Sequence, residues 1–147
     1  MFSNTAKYAI RALLYVAIKD KENRKIGIKE LAKELDLPGF FLGKIMQTLV
    51  KQKILVSFKG PNGGFAYNID PHDLTLLKVV EIFDGLDVFD TCLLGFRICQ
   101  DDPELKKVCP LSQDVDVCVQ RLRDYLESKT IGGIADKLND VKDFILL

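Results

Sequence analysis

Two short apolar repeats held apart by a tight turn constrain this chain more than any other feature. Ile28, Leu31, Ala32 and Leu35 fall at i, i+3, i+4 and i+7, and Leu42, Ile45, Met46 and Leu49 repeat that spacing. At 3.6 residues per turn, each set lies on one side of a helix, and that side must be buried. Asp36-Leu37-Pro38-Gly39 ends the first helix. Pro38 also suits the first turn of the second helix, where its missing N–H costs nothing. Two amphipathic helices joined in this way predict a helix-turn-helix, the second helix covering residues 38–51.

The flanking sequence supplies the rest. Residues 5–20 predict a first helix, with Ser3, Asn4 or Thr5 as cap, apolar nearly all round and therefore central to the core. Residues 54–58 predict a strand, Lys59-Gly60-Pro61-Asn62-Gly63-Gly64 a turn, and residues 65–69 a returning strand. A hairpin directly after a helix-turn-helix is a wing. Thr75 caps a helix to about Asp84, residues 85–110 read as irregular, and residues 111–129 form a long helix. Val115, Cys118, Leu122, Tyr125 and Leu126 share a face of it, Gly132-Gly133 breaks that helix, and residues 134–147 form a last short helix. The expected architecture is mainly α: a winged helix-turn-helix DNA-binding domain over 1–84, a cysteine-bearing sensor loop over 85–110, and dimerisation helices over 111–147.

Charge divides the same way. Residues 1–67 hold 12 Lys/Arg against 5 Asp/Glu, a net of +7, and residues 68–147 hold 9 against 16, a net of −7. A basic half suits a polyanion. At 48% hydrophobic and 29% charged, the chain buries a core and is not of disordered composition. No run approaches the roughly 20 apolar residues of a membrane helix. The N-terminus has no secretory pattern, so the expected location is cytoplasmic, where cysteines are reduced or metal-bound.

In a helix-turn-helix the second helix enters the major groove. With its apolar side committed to the core, it offers Gly39, Phe40, Gly43, Lys44, Gln47, Thr48 and Lys51. Gln47 can read an adenine edge, Lys44 a guanine or a phosphate, and Lys51 a phosphate. Gly39 and Gly43 are poor helix formers, explained either by close approach of backbone to DNA or by mere tolerance. At the wing, Lys59 and Asn62 stand among Gly60, Pro61 and Gly63, and the short residues there let the loop enter a minor groove with a basic side chain. Lys7 and Arg11, one turn apart, read as a phosphate clamp or a solvated face.

Cys92, Cys99 and Cys109 are spaced C-x6-C-x9-C. Thiolates are the normal ligands of iron–sulfur clusters, and loop thiols without metal are the alternative. Zinc prefers paired short spacings with Cys or His, which are lacking here. Cys118 shares the phase of the apolar face of the long helix, so core or dimer-seam packing is expected of it. His72, after Pro71, reads as a surface residue. No nucleophile–His pair, phosphate-binding loop or dinucleotide fingerprint occurs, so no enzyme is expected.

These segments together resemble the Rrf2 family of bacterial regulators over nearly the whole chain. The resemblance rests on Lys7-Tyr8-Ala9-Ile10-Arg11-Ala12-Leu13, Ile28-Lys29-Glu30-Leu31-Ala32 and the wing from Lys59 to Phe65. It continues through Thr91-Cys92, Cys99, Cys109-Pro110-Leu111-Ser112 and Thr130-Ile131-Gly132-Gly133-Ile134-Ala135. It implies a homodimer built by crossing long C-terminal helices on a palindromic double-stranded operator. It also implies an iron–sulfur cluster, [2Fe-2S] or [4Fe-4S], held by Cys92, Cys99 and Cys109 and controlling DNA affinity. Family members often place a histidine three residues after the third cysteine, where this chain has Ser112. The fourth ligand is left among Asp101, Asp102, Asp114 and an external molecule. The cluster-free alternative is a regulator responding through thiol oxidation or a partner protein.

Overall fold

The computed structural model describes residues 1–20, 24–92, 104, 107 and 109–138. Six helices and one two-stranded sheet are described: α1 (Asn4–Asp20), α2 (Ile28–Leu35), α3 (Gly39–Lys51), β1 (Leu55–Phe58), β2 (Gly64–Tyr67), α4 (Leu76–Asp84), α5 (Ser112–Ser128) and α6 (Ile131–Ala135). Short 3-10 turns cover Pro71–Asp73 and Asp87–Phe89.

α1 is the centre of the molecule. Ala6, Ala9, Ala12, Leu13, Leu14, Tyr15, Val16 and Ala17 are all buried, as its all-round apolar pattern requires. Of the three candidate caps, Ser3 takes the role: its Oγ accepts from the Ala6 N–H at 3.0 Å. The Ser3 hydroxyl also donates to Asp84, and the Ser3 N–H donates to the same carboxylate at 2.8 Å. This ties the start of α1 to the end of α4.

α2 and α3 bury the two apolar repeats against α1. Leu31, Leu42, Met46 and Leu49 are fully buried, and Ile45 is nearly so. Truncating any one of these to Ala would cost about 2–5 kcal/mol. α2 ends at Asp36 in the left-handed conformation, φ 51°, which a short polar side chain tolerates. Pro38 lies just outside α3 rather than in its first turn, and its carbonyl accepts from the Phe41 and Leu42 amides.

β1 and β2 pair antiparallel, Leu55 opposite Tyr67 and Phe58 opposite Gly64. Ile26 extends this hairpin. Its N–H donates to the Phe65 carbonyl at 3.0 Å, and the Phe65 N–H donates back at 2.8 Å. Gly64 allows that approach, because a Cβ there would collide with the Ile26 carbonyl. The Tyr67 hydroxyl donates to the Leu13 carbonyl at 2.7 Å, fixing the hairpin to α1. Thr75 caps α4 as expected, accepting from the Lys78 N–H at 3.1 Å.

The C-terminal part differs in two respects from the sequence reading. α5 does not bury the whole of its expected face: Leu126 is buried, Val115 and Leu122 are half-buried, and Cys118 and Tyr125 are exposed. Its inward side is Val119, Leu122 and Leu126, packed on Val80 and Phe89. The long helix α5 ends at Ser128, ahead of the glycines, and Gly132 and Gly133 lie inside α6, which Thr130 caps by accepting from the Gly133 N–H at 3.1 Å. Ile131 and Ala135 join the same core as α1, α2 and α3. Residues 139–147, the rest of the expected last helix, lie outside the described residues.

Candidate DNA interface and cysteine segment

Burial of Leu42, Ile45, Met46 and Leu49 fixes how α3 is rotated, and so which side chains it shows to solvent. Gly39, Phe40, Lys44, Gln47 and Lys51 are exposed, and Gly43 and Thr48 are half-buried. Phe40 is 78% exposed, with the Lys44 ammonium 4.5 Å from its ring centroid. The Thr48 hydroxyl donates to the Lys44 carbonyl at 3.0 Å. No protein atom lies within 4 Å of where a Cβ would stand at Gly43, and at Gly39 the nearest is Ala32 Cβ at 3.8 Å. Packing inside the protein therefore requires neither glycine.

The wing lies beside α3 in sequence and presents Lys59, Gly60, Pro61 and Asn62 to solvent, with Gly63 half-buried. Gly60 holds φ at +103°, a region that favours glycine. The Gly63 N–H donates to the Gly60 carbonyl at 2.9 Å, and a Cβ at Gly63 would collide with the Phe58 carbonyl oxygen. Here packing does demand glycine. Lys7 is exposed on the first turn of α1, and the Arg11 guanidinium lies 5.9 Å from the Tyr8 ring centroid.

Three features escaped the sequence reading. Arg24, Lys25 and Lys29 line a shallow groove with Pro61, Asn62 and Gly63 of the wing; the basic pair just before the first apolar repeat was the available signal. Within it, Arg24 Nη2 lies 3.2 Å from both Glu30 carboxylate oxygens, and the Tyr15 hydroxyl donates to Glu30 Oε1 at 3.0 Å. Burial, and then that carboxylate, push the Tyr15 phenol well above its ordinary pKa. The third feature is His72. Its Nδ1 lies 2.8 Å from Asp70 Oδ1, and its Nε2 lies 2.7 Å from Asp136 Oδ2. These hydrogen bonds, Asp136 foremost, raise the imidazole pKa, and the His72 amide and ring lower that of Asp70. The exposed position matches expectation, but the clasp was invisible because Asp136 is 64 residues away.

Among the described residues, Cys92 and Cys109 are half-buried and Cys118 is exposed. Cys99, Asp101 and Asp102 lie outside the described residues. Cys92 lines a cavity of about 280 Å³ with Met1, Val88, Phe89, Thr91 and Val119, so it borders the first half of α5. Cys109 precedes α5 by three residues, and its carbonyl accepts from both the amide and the hydroxyl of Ser112. Ser112 is thereby occupied with backbone, and Asp114 is exposed on the first turn. Cysteine sulfur is the soft donor that iron–sulfur centres take, so Cys92 and Cys109 fit such a centre in chemical type.

A helix-turn-helix with a polar, basic outward side, followed at once by a glycine-rich hairpin, defines the winged-helix class of DNA-binding proteins. The chain belongs to the Rrf2 family: residues 2–137 match the family described as "Iron-dependent Transcriptional regulator". It is accordingly a DNA-binding transcriptional regulator, not an enzyme. It is 30% identical over 131 residues to a provisionally named HTH-type transcriptional regulator of Aquifex aeolicus (strain VF5), covering 89% of this chain and 88% of that protein. It is 27% identical over 139 residues to the HTH-type transcriptional regulator NsrR of Geobacillus kaustophilus (strain HTA426), covering 94% and 89%. Its fold is similar to that of CymR, the global cysteine regulator of B. subtilis, with a TM-score of 0.74 at 16% identity over 95% of this chain and 98% of that one. Among the described residues, no helix is long and apolar enough to cross a membrane.

Proposed function

We propose that the chain acts as a symmetric homodimer on a palindromic operator, with α3 in the major groove and the wing in the adjoining minor groove. The observation that carries this is the division of α3: one side is wholly consumed by the core, and the other is Gly39, Phe40, Gly43, Lys44, Gln47, Thr48 and Lys51. Gln47 reads an adenine edge, Lys44 a guanine or a phosphate, and Lys51 a phosphate. Lys59, Gly60, Pro61, Asn62 and Gly63 follow the minor groove, and Lys7 anchors a backbone phosphate. Supporting the dimer, α5 and its approach leave Leu111, Val117 and Tyr125 about half or more exposed, together with Cys118. The units that follow are a DNA-binding part over 1–84, a sensor segment over 85–110 and a dimer-forming part after 111, with α6 packed back on the first.

In the same reading, operator affinity is controlled by an iron–sulfur cluster held by Cys92, Cys99 and Cys109. When bound, it supplies a redox-sensitive link among three thiolates. The chain's own contribution is positional: residues 85–110 join α4 to α5, so drawing these thiols together alters how α5 leaves the winged domain. Half-sites for such dimers lie about 34–36 Å apart, so a shift of a few Å changes fit.

Preparation without oxygen, with iron and sulfide assays and a visible absorption spectrum on the same sample, tests this. Expected are charge-transfer bands with stoichiometric iron. They are lost in Cys92→Ala, Cys99→Ala and Cys109→Ala but kept in Cys118→Ala, and operator affinity changes when they are lost. Colourless, iron-free protein that resists reconstitution would remove the cluster and leave a regulator that responds through thiol oxidation or a partner protein.

A further inference from the structure

Phe40 and Phe58 are the exposed phenylalanines among the described residues, at 78% and 41% exposure. Each carries a lysine. The Lys44 ammonium lies 4.5 Å from the Phe40 ring centroid, and the Lys25 ammonium 4.1 Å from that of Phe58. Lys44 belongs to the sequence-predicted reading helix; Lys25 does not, yet it sits under the wing. Phe58 closes β1 and runs straight into the wing turn. Lys25 precedes Ile26, whose paired hydrogen bonds to Phe65 lock this segment to β2. Lys25 and Lys29 then form one wall of the groove whose other wall is Pro61, Asn62 and Gly63.

The chemistry of the two neighbouring cations differs. Arg24 is neutralised by Glu30, a carboxylate also engaged by the Tyr15 hydroxyl. Lys25 rests on a neutral ring, and among the described residues no carboxylate is paired with it. A ring face holds an ammonium through its quadrupole without cancelling its charge. The lysine is therefore held in place with its charge uncompensated, whereas a carboxylate partner would offset it. Phe58 leaves 41% of its surface exposed on a wing strand, and that open ring serves as a support for the ammonium.

We propose that Lys25, held by Phe58, is a DNA-phosphate contact on the wing side of the interface, a second anchor matching Lys44 on Phe40. The inference rests on the proposed DNA-binding face and adds to it a backbone contact carrying no sequence information.

The test is the salt dependence of binding to a random-sequence duplex of about 30 base pairs, measured by fluorescence anisotropy on the full chain. Each lost phosphate contact lowers the slope of log affinity against log salt by about 0.9 per bound subunit. Lys25→Gln should lower the slope by that amount and weaken binding roughly five- to tenfold per bound subunit near 0.1 M salt. Lys25→Arg, which keeps both charge and stacking, should restore both. Phe58→Leu should keep the slope but weaken binding about two- to threefold, because the charge survives unplaced. Lys78→Gln, whose lysine pairs with Glu81 on α4, is the remote control and should change neither. If Lys44→Gln and Lys51→Gln lower the slope while Lys25→Gln leaves it at the parent value, this contact does not exist and the DNA face stands. If none of the three lowers it, the DNA face itself is misplaced. Equal loss with Lys25→Gln and Lys25→Arg would also overturn the proposal, by showing that Lys25 acts on the fold rather than through its charge.

Discussion

His72, the one histidine of the chain, joins the loop after the wing to the end of α6 through Asp70 and Asp136. Its raised pKa makes the clasp a source of pH-dependent stability. A folded-state value above the unfolded one means the contribution is fully present below the unfolded value of about 6.5 and is lost as pH rises through the folded value. Asp70, lowered from 3.8, contributes in the opposite sense: its part is present above that value and lost as pH falls through the lowered one. Thermal stability should therefore decline as pH is raised from 6 to 8. His72→Gln should remove the share of that slope that His72 contributes, as read by scanning calorimetry at several pH values. An unchanged slope would show that the clasp does not titrate. Gly132 belongs to the same contact, since a Cβ there would stand 2.6 Å from His72 Cγ. The sequence reading took this glycine as part of the end of the long helix; α5 ends at Ser128, and the glycine marks a close approach.

At the level of the element, α3 shows how far periodicity reaches. Its i, i+3, i+4, i+7 pattern named the buried side, and every one of those four residues is buried. By subtraction it named the free side too. What periodicity could not say is why Gly43 stands there. The empty space around it excludes a packing reason, and an alanine would fit. Gly43→Ala should therefore raise stability by up to about 1 kcal/mol in urea unfolding, through helix propensity alone. The same substitution should weaken operator binding about tenfold if backbone and DNA meet there, a loss worth about 1.4 kcal/mol. A variant both more stable and equally tight would show that the glycine is merely tolerated. α5 shows the opposite limit. Its apolar stripe was legible, but a stripe does not state what covers it, and here part of it is buried within the chain and part is left exposed.

At the scale of the whole molecule, the chain closes on itself. The Leu76 N–H donates to the Lys129 carbonyl and the Ile131 N–H to the Leu74 carbonyl, both at 2.8 Å, bridging the start of α4 to the start of α6. α5 is thus held from Val119 onward, by packing of Val119, Leu122 and Leu126 on Val80 and Phe89 and by this bridge just past its C-terminal end. Its outward residues are free to meet a second copy. Because Val117 and Tyr125 are exposed, charging them should spare the fold of the single chain. The double variant Val117→Asp, Tyr125→Asp should sediment as a monomer with an unchanged helical spectrum and bind a palindromic site at least about tenfold more weakly. A double variant that stays dimeric would place the seam elsewhere.

The sequence by itself determined the helix-turn-helix, the wing and the side of α3 turned outward. Those follow from local spacing, turn chemistry and the need to bury apolar surface, all short-range in the chain. The cap at Thr75 was equally local. Only the tertiary structure decided that α6 returns to the first core, that His72 meets Asp136, and that Phe58 holds Lys25. Each joins groups far apart in sequence, or groups whose types are ordinary on any surface. The reason is physical: a local pattern states what a segment must hide, and only the packed chain states what it is hidden against and which charges are left in the open.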